Sequence, residues 1–358
     1  MNMKSKKIRS NIITFGLVIV FYAVMEAMLV TGNMSSLMKG LLVPLCYYMI
    51  LAASLNLVVG ISGELSLGHA GFMSVGAFSG VVAAAMMESS IPSEPLRLFF
   101  AILIGGIIAG LAGFVIGIPV LRLRGDYLAI VTLAFGEIIK NILNCLYIGV
   151  DSRGLHIGME DSVSLGMETG GRILVNGPVG AVGVHKMATF TAGFLLILFS
   201  LLIVLNMKRS RTGRAIMAVR DNRIAAESVG IPITRYKMTA FITSAMLAGM
   251  AGVLFAMNYT SLIASKFDFN TSILVLVFVV LGGMGNIRGS ILSTVVLYIL
   301  PEMLRGLEDF RMLIYAIVLI AVMLVTNSDR VRQMRDKLAA KRQSKKEKAE
   351  AEKGGSAA

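Results

Sequence analysis

The chain has 358 residues, of which 56% are hydrophobic and only 15% are charged, against roughly 25% in soluble domains. This composition excludes an ordinary soluble globule, which could not cover so much apolar surface, and a disordered chain, which would be polar. The formal net charge of +13 raises the question of nucleic acid binding. Two cysteines, Cys46 and Cys145, both lie in apolar segments, which excludes a disulfide framework or a cysteine-based zinc site.

Ten apolar segments are long enough to be predicted as membrane-spanning helices or half-helices, since about 20 residues cross a bilayer core of about 30 Å. Glycines four residues apart, at Gly76/Gly80 and Gly106/Gly110, favour close packing between such helices. We therefore predict an all-α polytopic membrane protein. In chain order, the spans are 12–31, 38–60, 72–88, 98–118, 127–148, 187–207, 238–257, 268–282, 288–304 and 312–326.

Most of the 34 lysines and arginines fall on one face of this topology, which the positive-inside rule makes cytoplasmic. Both termini are therefore predicted to be cytoplasmic. Nucleic acid binding is not expected, because it needs a basic face on a folded domain and the basic residues lie in loops and tails. The predicted organisation is a basic arm (1–11), a transmembrane domain (12–326) with a cytoplasmic loop (208–237) and an external loop (149–186), and a basic low-complexity tail (327–358).

The segment Gly60–Gly71 (GISGELSLGHAG) interrupts the apolar pattern with four glycines, two serines, Glu64 and His69. Irregular backbone in a membrane is tolerated only where protein buries it or where it lines a watery cavity, and ionisable residues there point to function. An ordinary turn rich in glycine and serine explains the local sequence equally well. Glu137 and Lys140, three residues apart in a later span, either line a path or simply neutralise each other.

A second irregular segment, Gly282–Ser290 (GGMGNIRGS), separates two apolar half-segments. It imitates a dinucleotide-binding loop, but Arg288 stands where that motif needs a glycine, and no suitably spaced acidic residue follows. Interrupted helices mark binding sites in transporters, so a helix break is the better interpretation. The break is assigned to Gly282, Gly283, Gly285 and Asn286.

The loop 208–237 predicts one short helix through Ala215–Val229, capped by Thr212 and ended by Gly230 and Pro232. Its apolar stripe would contain Ile216, Val219, Ala226 and Val229. A plain connector is the alternative, but the length of the loop favours a docking surface. The expected contact residues are Arg220, Asp221 and Glu227 for orientation, with Ala225, Ala226 and Gly230 for close approach.

The chain contains no Walker lysine, no HExxH sequence and no nucleophile elbow. We therefore predict that it is not an enzyme and has no metal or cofactor of its own. If transport is active, the energy comes from an ion gradient or from ATP used by separate subunits.

Five segments in register resemble the permease subunits of branched-chain amino acid ABC transporters, the LivM type. The turn Val150–Gly154 and the long segment after it depart from the family pattern. The matching segments are NLVVGISGELSLGHAGFMSVGAF (56–78), LRLRGDYLAIVTLAFGEIIKNI (121–142), the stretch that begins GRAIMAVRDNRIAAESVGIPITRYK (213–256), LVFVVLGGMGNIRGSILSTVVLYILPEMLR (276–305) and FRMLIYAIVLIAVML (310–324).

The resemblance implies a permease of the cell membrane that works with a homologous second permease, two cytoplasmic ABC ATPase subunits and an external solute-binding protein. Expected substrates are leucine, isoleucine and valine. Urea, amides or other amino acids are alternatives within the family, and an ion-coupled carrier or a membrane scaffold is an alternative outside it. The residues expected to contribute to the translocation path are Glu64, Ser66, Gly68, His69, Thr132 and Glu137.

Overall fold

The structure is a computed structural model that describes residues 3–32, 34–123, 125–151, 153–161, 165–167 and 170–304, together with 310, 313, 314, 316, 317, 320 and 324. Side chains are described from residue 14 onward, except that of residue 17. The predicted tail (327–358) lies outside these residues, as does most of the predicted span 312–326. The chain divides into two compact units, Met1–Val296 and Leu297–Ala358.

The described chain is mostly helical, as predicted. The helices are α1 (Met3–Val30), α2 (Ser36–Asn56), α3 (His69–Met86), α4 (Glu94–Val120), α5 (Asp126–Asn144), α6 (Phe190–Arg209), α7 (Arg211–Asp221), α8 (Arg223–Ser228), α9 (Ile233–Ala256), α10 (Phe269–Gly282) and α11 (Ile287–Met303). Six helical segments in this part of the chain are long and apolar enough to cross a membrane, so the predicted count of ten is not confirmed. They are Ser36–Ser62, His69–Met86, Glu94–Val120, Phe190–Arg209, Ile233–Ala256 and Ala264–Gly282.

Helices α3, α4 and α9 form the most tightly packed part of the first unit. Glycines on α3 and α4 allow this approach: a Cβ at Gly76 would overlap the backbone of Gly249, and a Cβ at Gly106 would lie 2.7 Å from Cγ of Met250. Small residues at a helix interface let backbones approach closely. The predicted role of the glycine pairs in packing is therefore confirmed. From Leu42 onward, helix α2 is almost wholly buried among its neighbours.

The all-α prediction is wrong for the segment predicted as an external loop, 149–186. Three antiparallel strands, β1 (Tyr147–Asp151), β2 (Gly154–Gly158) and β3 (Arg172–Asn176), form a sheet in the order β2-β1-β3. A short pair, β4 (Ala181–Val182) and β5 (Ser261–Leu262), connects this region to the end of α9. β-branched residues such as Ile148, Ile157 and Val175 favour strands here.

The prediction of one helix in 208–237, capped by Thr212, is also wrong. Ser210 caps α7, because its Oγ accepts from Gly213 N at 3.0 Å. Asn222 then ends α7 in extended backbone and caps α8, since its side-chain oxygen accepts from Ala225 N at 3.0 Å. Both are strong N-cap residue types, so the chain forms two short helices instead of one.

Candidate functional site

The last turn of α2 continues into a π-helical segment, Leu57–Ser62, whose six residues are all buried. The segment ends at Gly63 in the left-handed region, with φ of 76°. Single π-helical turns are rare and frequently lie at functional sites. The irregular segment predicted from Gly60 onward therefore begins inside the protein, at the end of its most buried helix.

Asn56, the final residue of α2, joins this segment to the break between α10 and α11. Its side chain is fully buried. Its Oδ1 accepts a hydrogen bond from Gly285 N at 2.8 Å, and its Nδ2 donates to Ser290 Oγ at 2.6 Å. Because both polar atoms of the amide are used, the carboxamide fixes the position of the break relative to α2.

Two basic side chains bring the loop 208–237 to the same place. Arg220 of α7 donates from Nη1 to the carbonyl oxygen of Gly60 at 2.9 Å. Lys208, near the end of α6, donates from Nζ to the carbonyl oxygen of Gly285 at 2.5 Å. The three segments that depart from regular spans in the sequence thus meet at one point. We name this point the junction and define it by Asn56, Gly60, Lys208, Arg220 and Gly285.

Gly60 lies at the most crowded position of the junction. A Cβ there would overlap Asn56 Oδ1 and the backbone nitrogen of Gly285. The backbone of the break therefore lies directly on Gly60, and only glycine permits this approach. Gly283 and Gly285 adopt φ of 91° and 77°, which allows the turn between α10 and α11.

The loop after the π-helical segment is held by a sheltered ion pair. Glu64 Oε1 contacts Nζ of Lys237, near the start of α9, and the two side chains are only 12% and 10% exposed. An opposite charge at close range offsets much of the cost of removing each group from water. Glu64 thus joins the loop to α9 on the same side as the junction.

Gly68 and Thr132, two residues predicted for the translocation path, are in direct contact. Thr132 Oγ1 accepts from Leu67 N at 3.0 Å and donates to Ala129 O at 2.9 Å. A Cβ at Gly68 would overlap the Thr132 carbonyl oxygen. The loop therefore packs on α5 through backbone, and the adjacent Ser66 is buried.

His69 begins α3 and is buried against α2. Its Nε2 lies 2.8 Å from Ser54 Oγ, and that hydroxyl donates to Leu51 O at 2.9 Å. Because a hydroxyl has one proton, Nε2 is the donor to Ser54. Ser244 of α9 donates to the Ser54 carbonyl at 2.7 Å. His69 is thus part of a polar link among α2, α3 and α9.

Glu137, also predicted for the translocation path, lies apart from the contacts described above. It pairs with Lys140 on α5, and its side chain is 37% exposed. Among the described residues, no group of three or more His, Cys, Asp or Glu side chains could hold a metal ion.

The residues of the loop 208–237 that were predicted to contact an ATPase differ in how exposed they are. Ala226 is buried with Val219 and Ile233 and therefore packs within this chain. Ile224 and Val229 are the large apolar residues of the loop that are exposed, at 81% and 74%. Asp221, Ala225, Glu227 and Gly230 are exposed, as a contact surface requires.

Several residues of the site were not predicted from the sequence: Asn56, Ser54, Lys208, Lys237 and Ser244. Asn56 carried a usable signal, because an amide inside an apolar span needs a buried partner. Lys208 and Lys237 gave no separate signal, since each resembles the basic residues that commonly end a span on the cytoplasmic side.

Comparison with known proteins gives consistent matches. A family model described as branched-chain amino acid transport system / permease component matches residues 37–325. The high-affinity branched-chain amino acid transport system permease protein LivM of Salmonella typhimurium is 37% identical over 287 residues, which cover 77% of this chain and 66% of that protein. The Escherichia coli protein of the same name is 36% identical over 290 residues, with the same coverage.

A more distant relative is the ribose import permease protein RbsC of Haemophilus influenzae, 24% identical over 288 residues, or 78% of this chain and 81% of that protein. The chain spans about two thirds of the length of the two LivM proteins. No solved structure matches it. The family model covers most of the chain, including the whole junction, and the chain therefore belongs to the permease component family of branched-chain amino acid transport systems.

Proposed function

We propose that this chain is a permease subunit of an ATP-driven importer for leucine, isoleucine and valine. It forms part of the translocation path and uses no cofactor of its own, because separate ABC ATPases bind and hydrolyse ATP. A homologous second permease and an external solute-binding protein complete the transporter in the cell membrane. The names of the LivM relatives support the substrate class.

The single observation that carries the coupling part of this proposal is the contact between Arg220 and Gly60. It gives a direct route from the α7–α8 loop to the irregular end of α2. Packed elements move as units. A displacement of α7 would therefore also displace Gly60 and, through Asn56, the α10–α11 break. In this proposal the junction lies at the cytoplasmic end and the β-sheet at the external end.

Ile224 and Val229 are the proposed contact with an ATPase. Both side chains are exposed in the α7–α8 loop and are therefore available to a partner. A short helix that enters an apolar groove is a common recognition mode. Asp221 and Glu227 would orient the helix at the rim of such a groove.

An ion-coupled carrier receives less support from the geometry. A proton-coupled carrier commonly uses a carboxylate that gains and loses its proton during the cycle. The two acidic path candidates, Glu64 and Glu137, are each paired with a lysine. Import energised by ATP does not need either group to change its charge.

Reconstitution separates these functions. The chain, its permease partner and the ATPases are placed in proteoliposomes with the solute-binding protein, and uptake of labelled leucine is measured with ATP or a non-hydrolysable analogue. We expect uptake that needs hydrolysis, resists ionophores and is competed by isoleucine and valine but not by urea or ribose. Uptake without ATP that an ionophore abolishes would establish the ion-coupled alternative.

A further inference from the structure

A small cavity lies at the end of the first unit opposite to the junction, below the β-sheet. Its volume is about 30 Å³. Its polar lining comes from Glu88, Arg97, Arg172 and His185, and the remaining wall is largely apolar. These residues follow α3, begin α4, belong to β3 and precede α6, so four parts of the chain line the space.

The charges around the cavity do not balance. Glu88 is the acidic residue of the lining, and both its oxygens are engaged: Oε2 accepts from Arg172 at 3.2 Å, and Oε1 lies 3.0 Å from His185 Nε2. Arg97 therefore adds a positive charge that Glu88 does not neutralise.

Arg97 is buried, with only 6% of its surface exposed. Within the described part of the chain, its acceptor is the thioether Sδ of Met187, 3.2 Å from Nε. The two terminal nitrogens have no acceptor among these residues. A thioether is a weak acceptor, so the guanidinium keeps N–H donors available for an anion in the cavity.

We propose that this cavity binds a small anionic group, a halide or a carboxylate, through the guanidinium of Arg97. The position of Arg97 in the first turn of α4 adds the favourable field of a helix N-terminus. Arginine presents paired N–H donors that suit carboxylate oxygens and also bind a spherical anion.

The size of the cavity limits the ligand. A cavity needs about 10–15 Å³ to hold one water molecule, so about 30 Å³ admits a chloride ion or the two oxygens of a carboxylate. A whole leucine side chain does not fit. The proposal concerns the anionic group alone and does not depend on the proposed function.

Thermal unfolding of the full-length chain in detergent tests the site. The sodium salt of a bulky sulfonate, whose anion carries no carboxylate and is too large for the cavity, is replaced stepwise by sodium chloride or sodium acetate at constant ionic strength. We expect a saturable rise in Tm of about 2–4 °C with one or both small anions. The chloride and acetate series show whether the preferred group is a halide or a carboxylate.

The variant Arg97→Met, of similar length but uncharged, should lose this rise. Arg153→Met removes an exposed arginine of the β1–β2 turn and should keep it. If Arg97→Met does not fold, bromide replaces chloride in crystals of the wild-type chain, and its anomalous signal should lie within hydrogen-bond distance of Arg97. Equal Tm in all three salts, an unchanged rise in Arg97→Met, or a cavity without bromide would overturn the proposal.

Discussion

The guanidinium of Arg220 donates a hydrogen bond to the carbonyl oxygen of Gly60 at 2.9 Å, although the two residues are 160 positions apart in the chain. Arg220 lies on α7 and also contacts the carboxylate of the adjacent Asp221, whose Oδ1 accepts from Nε at 3.0 Å. This second contact orients the guanidinium. The relationship matters because Gly60 belongs to a buried π-helical turn that itself contacts the α10–α11 break.

Replacing Gly60 with alanine should disrupt the junction. The new methyl group would overlap Asn56 and the backbone of Gly285, and overpacking of this kind costs about 1–3 kcal/mol. We expect a lower Tm and strongly reduced leucine uptake. Gly40→Ala, in the α-helix that continues into this segment, is the matched control, because a Cβ at Gly40 meets nothing within 4 Å. Similar behaviour of the two variants would show that the close approach at Gly60 is unimportant.

Removing one partner of the Glu64–Lys237 pair should destabilise the protein more than removing both. Lys237→Met leaves a sheltered carboxylate without its cation, at a cost of about 3 kcal/mol. The double variant Glu64→Gln/Lys237→Met should recover most of the lost Tm. A double-mutant cycle in detergent measures the coupling energy. Additive effects of the two substitutions would mean that the pair contributes little.

Two substitutions in the α7–α8 loop should have different consequences. Ile224→Glu changes an exposed side chain, so we expect a normal Tm but loss of the ATPase from the purified complex. Ala226→Glu places a charge among Val219 and Ile233 and should lower the Tm of the chain itself. Copurification and thermal unfolding are measured for both variants. If the Ile224→Glu variant retains the ATPase, the docking surface does not include Ile224.

His69→Leu should weaken the polar link among α2, α3 and α9. The substitution leaves the Ser54 hydroxyl without its buried donor, which costs about 1–3 kcal/mol. His69→Gln can keep a donor toward Ser54 and should recover part of the loss. Tm and leucine uptake are compared for both variants. Equal loss of uptake with unchanged Tm would instead assign His69 a direct role in the path.

The three segments that meet at the junction, Gly60–Gly71, the loop 208–237 and Gly282–Ser290, were recognised from the sequence. Their contacts with one another were not predicted. Gly60–Gly71 and Gly282–Ser290 are visible because glycines and polar residues interrupt apolar runs. Contacts such as that between Asn56 and Gly285, 229 positions apart, depend on how the helices pack and leave no periodic signal. The family resemblance was more informative about function than any single residue, and comparison confirmed it.

Helix-capping residues and periodicity in the sequence were compatible with more than one local structure. Ser210, Thr212 and Asn222 are all suitable helix caps, and periodicity alone did not separate one helix from two. The strands in 147–176 were missed because the segment was interpreted by its length between two apolar spans. Its β-branched residues and the turn at Asp151, whose Oδ1 accepts from Arg153 N at 2.8 Å, were the available signals.

The most direct test of coupling through the junction is the number of leucine molecules imported per ATP hydrolysed by the reconstituted transporter. Arg220→Met removes the contact with Gly60, and Arg211→Met, on the same helix and exposed, is its control. We expect Arg220→Met to retain its ATPases and to hydrolyse ATP while the ratio falls at least tenfold, with Arg211→Met at the wild-type ratio. A wild-type ratio in Arg220→Met would contradict the claim that α7 acts on the translocation path through Gly60.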